Sequence, residues 1–204
     1  MEIRERILQE AQMLFFQKGI KAVSMDDVAM HLSISKKTIY KWFENKDQLV
    51  HDAMEQYITK IEGTCSQEIA SAGNAMQAML QIVEMVRGIM RQIHPNIFYD
   101  LQKYHPAAWQ LWQQHKDQFF LKQTKEHIQR GIKEKLFRED ADVEVLARLR
   151  LAEVELGFDS AIYPASQFDR QQVQIALLEH FILGLATLKG HKLINDYKKI
   201  TEEE

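Results

Sequence analysis

Lys36, Lys37, Thr38, Tyr40, Lys41 and Lys46 lie close together in the stretch S-I-S-K-K-T-I-Y-K-W-F-E-N-K. Ammonium and hydroxyl groups at this density suit phosphate oxygens and base edges, because the cations supply charge and the hydroxyls supply directional hydrogen bonds. Lys36 and Lys37 fall in the first turn of a predicted helix, and Lys46 in the first turn of the next. A cation there opposes the helix dipole, which favours negative charge. An incoming phosphate would remove the conflict, held by free backbone N–H groups and the lysine together. Thr38 is best placed for a base or phosphate near the helix start.

The elements that must position these groups can be read from helix starts. Ser24 is an N-cap, and Asp27 three positions on completes a capping-box pattern. Val23 and Val28 can form a hydrophobic staple across that cap. The same grammar repeats at Ser35, with Ile34 before the cap and Ile39 at the fourth helical position, and again at Asn45 with Leu49. Within the middle helix Ile39, Trp42 and Phe43 are spaced i, i+3 and i+4, so they are expected to face inward together. The lysines, Thr38 and Tyr40 then lie outside. Two short helices joined by a tight turn, with a third following, form a helix-turn-helix able to enter a DNA groove.

On these segments, I-L-Q-E-A-Q-M-L-F-F-Q-K-G-I and V-S-M-D-D-V-A-M-H-L-S-I-S-K-K-T-I-Y-K-W-F-E-N-K-D-Q-L-V, the chain resembles the DNA-binding domain of TetR-family transcriptional regulators. The resemblance implies an all-α fold with an N-terminal helix-turn-helix head, residues 1–48, on a larger helical effector-binding and dimerisation body, residues 49–204. It also implies that Tyr40 and Lys46 contact phosphate. Two positions depart from the family pattern. Ser33 stands in the turn where glycine is frequent, and Lys37 stands where a small residue is frequent. Lys37 bears on which bases are preferred, so the operator sequence does not follow from the resemblance.

Composition is that of an ordinary soluble globular protein, with 46% hydrophobic and 27% charged residues in 204. The net charge is −3, but residues 1–50 carry eight Lys/Arg against seven Asp/Glu, which leaves +1 there and −4 on the remainder. A weakly basic head on an acidic body suits a protein that touches DNA at one end. Cys65 is the only cysteine, which excludes an intrachain disulfide and a multi-cysteine metal site, and it reads as structural or incidental. No signal-peptide core and no bilayer-length apolar run occurs, so the expected location is cytoplasmic, with no membrane partner.

The rest of the chain shows no strand alternation. Ile3, Ile7, Ala11, Leu14 and Phe15 form the inner stripe of a first helix that Gly19 can end. The helix from Lys46 should run through Val50, Met54, Tyr57 and Ile61 to a break near residues 71–74. A fifth helix is expected over 75–93 and a short one after His94-Pro95. One long helix is expected over 106–135, another over 143–157 capped by Asp142, and a last one over 170–189. The terminal T-E-E-E reads as frayed.

The last helix is apolar nearly all the way round, which calls for burial on every side. A second copy of the chain could supply the missing cover. Leu146, Ala147, Val173, Ala176, Leu177, Phe181, Gly184 and Leu188 are the expected interface residues, in the four-helix dimer that TetR-like proteins form. Residues 75–163 are rich in Met and aromatic groups, which suit an adaptable, mostly apolar pocket. Met79, Met85, Phe98, Tyr104, His105, Trp109, Trp112, Phe120 and Phe158 are the candidates to line it. None of the eight histidines pairs with a second His or Cys at metal-ligand spacing, so no metal is expected. Nucleophile-elbow, phosphate-loop, dinucleotide and zinc-protease motifs are absent, which argues for no catalysis and no cofactor. The expected function is a homodimeric regulator that reads a near-palindromic duplex operator and is released by a small effector, with repression the expected sense. An interaction protein that uses the DNA-binding head as a tether, and an enzyme built on the helical body, are the alternatives.

Overall fold

The computed structural model describes residues 2–198, so the reading of T-E-E-E lies outside the described residues. The architecture is all-α, as expected, and the chain divides into two compact units.

The first unit is Met1–Glu62 with Gln92–Lys116. It contains α1 (Ile3–Lys18), α2 (Met25–Leu32), α3 (Lys36–Tyr40), the start of α4 (Lys46–Ser71), α6 (Ile97–Tyr104) and α7 (Pro106–His115). The inner stripe of α1 buries Ile7, Ala11, Leu14 and Phe15 together with Leu8 and Phe16. Gly19 ends the helix at φ 85°, a conformation open to residues without a Cβ. A Cβ there would also sit 3.1 Å from the His94 ring. The loop that follows is held by α6, where the buried Asp100 carboxylate accepts the Lys21 backbone N–H at 2.9 Å. Pro106 opens α7, where its missing N–H costs nothing.

The second unit is Gly63–Arg91 with Asp117–Glu204. Its helices are the end of α4, α5 (Ala75–Met90), α8 (Leu121–Lys133), α9 (Val143–Leu156), α10 (Arg170–Leu185) and α11 (Leu188–Lys198). Side-chain oxygens of Asn74, Asp142 and Asp169 cap α5, α9 and α10. The core gathers Met76, Met79, Leu80, Val83, Ile128, Phe137, Leu178, Ile182 and Leu185.

Three expectations change here. The helix expected over 106–135 is α7, a π-helical stretch Lys116–Phe120, and α8. It stops because Lys135 turns left-handed at φ 60° and both Leu136 and Phe137 donate to the Gly131 carbonyl. The Phe137 ring then lies on Gly131, where a Cβ would meet it at 2.0 Å. The fifth helix ends at Met90, short of Ile93. The last helix ends at Leu185 because the backbone leaves to pair with the turn after α8: Ala186 bridges Phe137, and Thr187 N–H donates to Leu136 O at 2.9 Å. Leu188 therefore belongs to a separate helix, α11, and stands 86% exposed.

Cys65 is buried, which pushes its thiol up to about 11 and keeps it unreactive, in line with a structural residue. His127 is also buried, at 4% exposure beside the Phe137 ring. Burial lowers it to about 4 and Arg130 adds to that; the Ala75 backbone and Glu134 pull the other way but less strongly. The folded protein thus refuses a proton that the unfolded chain accepts near pH 6.5, so stability should fall as pH drops from 6.5 to 4, by about 3 kcal/mol in full. Denaturant unfolding of wild type and His127→Leu across that range checks it. The leucine variant should show the flatter profile, and parallel profiles would remove His127 from the pH response.

Candidate nucleic-acid interface

The helix starts form as their sequence predicts. Ser24 Oγ accepts the Asp27 N–H at 3.1 Å, and the Asp27 carboxylate accepts the Ser24 N–H at 2.8 Å. The Ser24 hydroxyl and backbone hold the Asp27 carboxyl below its ordinary range, with smaller help from Lys18 and Lys46. Val23 and Val28 are both buried. Ser33 takes the left-handed turn conformation at φ 55°, ψ 39°, a cost that glycine would avoid. Ser35 accepts the Thr38 N–H, and its hydroxyl also bonds the Thr38 hydroxyl at 2.8 Å. Asn45 accepts the Gln48 N–H at 2.9 Å, while Gln48 reaches back to the Glu44 N–H at 2.7 Å.

Trp42 does not face inward with Ile39 and Phe43. Those two are fully buried, whereas Trp42 is 42% exposed. Trp42 lies past the end of α3 at Tyr40, and its N–H bonds Ile39 O three residues back, while Phe43 N–H keeps the four-residue bond to the same carbonyl. Trp42 thereby joins Tyr40, which is 45% exposed, as a large aromatic on the outer side of the helix-turn-helix.

The three lysines at helix starts differ from one another. Lys36 is already compensated, since its ammonium lies 2.8 Å from Asp26 of α2, a bond that raises its proton affinity. Lys46 is half-buried and donates to the Ile20 carbonyl at 2.6 Å; burial lowers its proton affinity, against the pull of Asp100 and Asp47. Two of its three donors remain for another oxygen. Lys37 and Lys41 are exposed and, among the described residues, unpaired with any carboxylate. The signal for Lys36 was present in the sequence as Asp26. The Ile20 contact depends on the tertiary path of the loop after α1.

The expected pocket residues are divided between the units. Phe98, Tyr104, His105, Trp109 and Trp112 lie in the first; Met79, Met85, Phe120 and Phe158 lie in the second. Phe98 packs edge-to-face with Trp109 at 5.9 Å and Trp112 at 5.2 Å. His105 is buried and its Nδ1 is 2.7 Å from Asp47 Oδ1, so that nitrogen is engaged at the start of α4. Tyr104 stands between Lys21 and Lys103. In the second unit Met79 is core, Phe120 packs against Phe119, and Phe158 lies under the Arg170 guanidinium. A cleft of about 110 Å³ in that unit has an apolar floor of Leu80, Val83, Ile182 and Ile194, flanked by the Glu179–Lys198 ion pair. None of the expected pocket residues lines it.

Of the expected interface residues, Ala147, Val173 and Phe181 are buried within the protomer. Ala176 and Gly184 are exposed on α10, and a Cβ on Gly184 would meet nothing within 4 Å. They share the outer side with exposed Leu183, and α9, which packs against α10, exposes Val145, Leu149 and Leu156. Leu146 and Leu177 are half-buried. His51, Asp52 and Glu55 bring three donor atoms within 4.8 Å, but Arg4 lies 2.7 Å from Asp52 and its charge opposes a metal ion there.

Comparison with known proteins places this geometry. Residues 7–53 match the family model described as bacterial regulatory proteins, tetR family. The HTH-type transcriptional regulator YvaF of Bacillus subtilis is 31% identical over 106 residues, 52% of this chain and 55% of that one, so the chain spans about half the length of that relative. The HTH-type transcriptional repressor KstR2 of Mycolicibacterium smegmatis is 22% identical over 71% of this chain and 72% of its own. A transcriptional regulator from Saccharomonospora viridis, solved in complex with choline, superposes with a TM-score of 0.71 at 18% identity, over 90% of this chain and 97% of that one.

Proposed function

The chain belongs to the TetR family of transcriptional regulators, and on that footing we propose that it is a homodimeric repressor of a near-palindromic DNA operator, released when a small apolar or amphipathic effector binds. The observation that carries the reading is α3, capped at its start by Ser35 and presenting Lys37, Tyr40, Lys41 and Trp42 outward. Thr38 at the helix start would meet a base edge or phosphate. Lys46 would place its remaining donors on a phosphate, and Lys36 would do so by exchanging Asp26 for the DNA. Two such helices must sit roughly 34–36 Å apart to read both half-sites. An effector that favours another separation lowers DNA affinity by its differential binding to the two states. Repression has the support of the similar repressor KstR2, and a small effector that of the regulator solved with choline.

Footprinting the full-length protein on DNA flanking its own gene tests the reading. Two protected half-sites about one helical turn apart are expected, and Lys37→Ala with Lys41→Ala should abolish the protection. Uniform or absent protection by the wild type would remove the operator reading.

The dimer is proposed to form through the outer side of α9 and α10, at Ala176, Leu177, Gly184 and Leu146. Because a side chain on Gly184 has open space in the protomer, Gly184→Glu should leave the fold intact. In a dimer the same carboxylate is buried unpaired, at a cost of about 3–5 kcal/mol. Light scattering should find folded monomers, and a dimer of unchanged affinity would place the interface elsewhere.

Effector binding is expected to change Trp109 or Trp112 emission. Effector and operator must then weaken each other by the same factor. Reciprocal titrations that show binding without coupling would leave a pocket but no switch.

A further inference from the structure

The first unit carries a second cationic feature, away from α3. Lys21, in the loop after α1, places its ammonium 5.2 Å from the Tyr104 ring centre. Lys103, on α6, lies 5.4 Å from the same ring and 5.1 Å from that of Tyr99, whose hydroxyl accepts its proton at 2.7 Å. Lys21, Lys103 and Tyr99 are exposed. Among the described residues neither ammonium is paired with a carboxylate. The acids that attract the neighbouring Lys46 direct their hydrogen bonds elsewhere: Asp100 accepts the Lys21 backbone N–H, Asp47 meets His105, and Asp27 accepts the Ser24 N–H. The two lysines hold the Tyr104 phenol below its ordinary range, Lys21 the more strongly.

This feature is continuous with the helix-turn-helix. Lys46 donates to the carbonyl of Ile20, the residue immediately before Lys21. Lys103, Lys21 and Lys46 therefore follow one another from α6 across the loop to the start of α4, all within one compact unit. A phosphate held by Lys46 would lie beside the loop that carries Lys21.

We propose that Lys21 and Lys103, converging on Tyr104, form a phosphate-binding site that grips the DNA backbone outside the base pairs read by α3. The site rests on the reading of the chain as an operator-binding regulator and extends it. It contributes affinity without sequence information, since phosphates are the same at every step. The tyrosines hold the two ammoniums ready through cation–π contact and leave each with donors to spare.

The test uses the full-length protein and two duplexes, one with long flanks and one trimmed to the outermost base pair whose edge is contacted. On the long duplex, Lys21→Gln with Lys103→Gln should lower the slope of log affinity against log salt by about 2 per subunit. On the trimmed duplex the variant should match wild type. Lys103→Arg with Lys21→Arg should keep the long-duplex slope. The Gln and Arg substitutions at Lys21 retain the backbone N–H that Asp100 accepts, and an unchanged melting midpoint checks that the fold is kept. An unchanged slope on the long duplex overturns the site. An equal loss on both duplexes also overturns it, because the lysines would then act through the shape of the head. Wild-type protein that binds neither duplex would instead remove the operator reading, and this site with it.

Discussion

A helix opens with amide hydrogens that no turn behind it can accept, and the head of this protein depends on how that need is met. The five residues of α3 are too few to be helical on propensity alone. Ser35 holds it at one end, with its oxygen on the Thr38 N–H, and burial of Ile39 and Phe43 holds its inner side. Ser24 with Asp27 fixes α2 in front, and Asn45 with Gln48 fixes α4 behind. Each cap contributes about 1 kcal/mol, but its larger effect is geometric. The first helical residue is set by the cap, so the directions in which Lys37, Tyr40 and Lys41 leave α3 are set by Ser35.

Caps are local, which is why they were legible in the sequence: Ser24, Ser35, Asn45 and Asp142 all serve where their spacing placed them. Trp42 departs from the spacing that Ile39 and Phe43 obey: it lies in the turn after α3, where its N–H reaches back only three residues, and stays exposed. The end of α10 was invisible for a different reason. Gly184 weakens the helix in L-G-L-A-T-L but does not mark its end; the backbone leaves because residues 136–138, far away in sequence, offer hydrogen bonds at Leu185 and Thr187. The apolar girth of α10 was right as composition but incomplete as geometry. Val173 and Phe181 serve the protomer's own core, and Ala176, Leu183 and Gly184 remain outside. Of the pocket residues, the sequence could give aromatic character but not grouping. Phe98, Trp109 and Trp112 meet, while Tyr104 is drawn to lysines and His105 to Asp47.

The lysines show why a cation in a helix's first turn signals a need without naming what meets it. The dipole disfavours the charge at Lys36, Lys37 and Lys46 alike. Asp26 answers for Lys36 and the Ile20 carbonyl for Lys46, both from within the protein. Among the described residues Lys37 has no such answer. An exposed ion pair such as Lys36–Asp26 holds weakly, so a phosphate can replace Asp26 at little cost. The Lys46 contact is less exposed, and there the carbonyl and a phosphate can share one ammonium.

Asp100 explains how α6 is tied to this arrangement. A carboxylate at 4% exposure is costly unless its oxygens are satisfied, and one of them takes the Lys21 N–H from the loop after α1. Parting α6 from that loop would leave a buried acceptor without its donor, a loss of about 1–3 kcal/mol before any change in packing. One turn further on, His105 meets Asp47 at the start of α4, again with the histidine buried. The two contacts fasten α6 to the segments that bracket α2 and α3 in the chain. A force that displaces α6 must therefore break one of these bonds or carry the loop and the start of α4 along with it. Since Lys46 is anchored on Ile20 within the same loop, carrying them together is the cheaper course. The head then responds to α6 as a body whose caps, and hence whose exposed side chains, keep their mutual geometry.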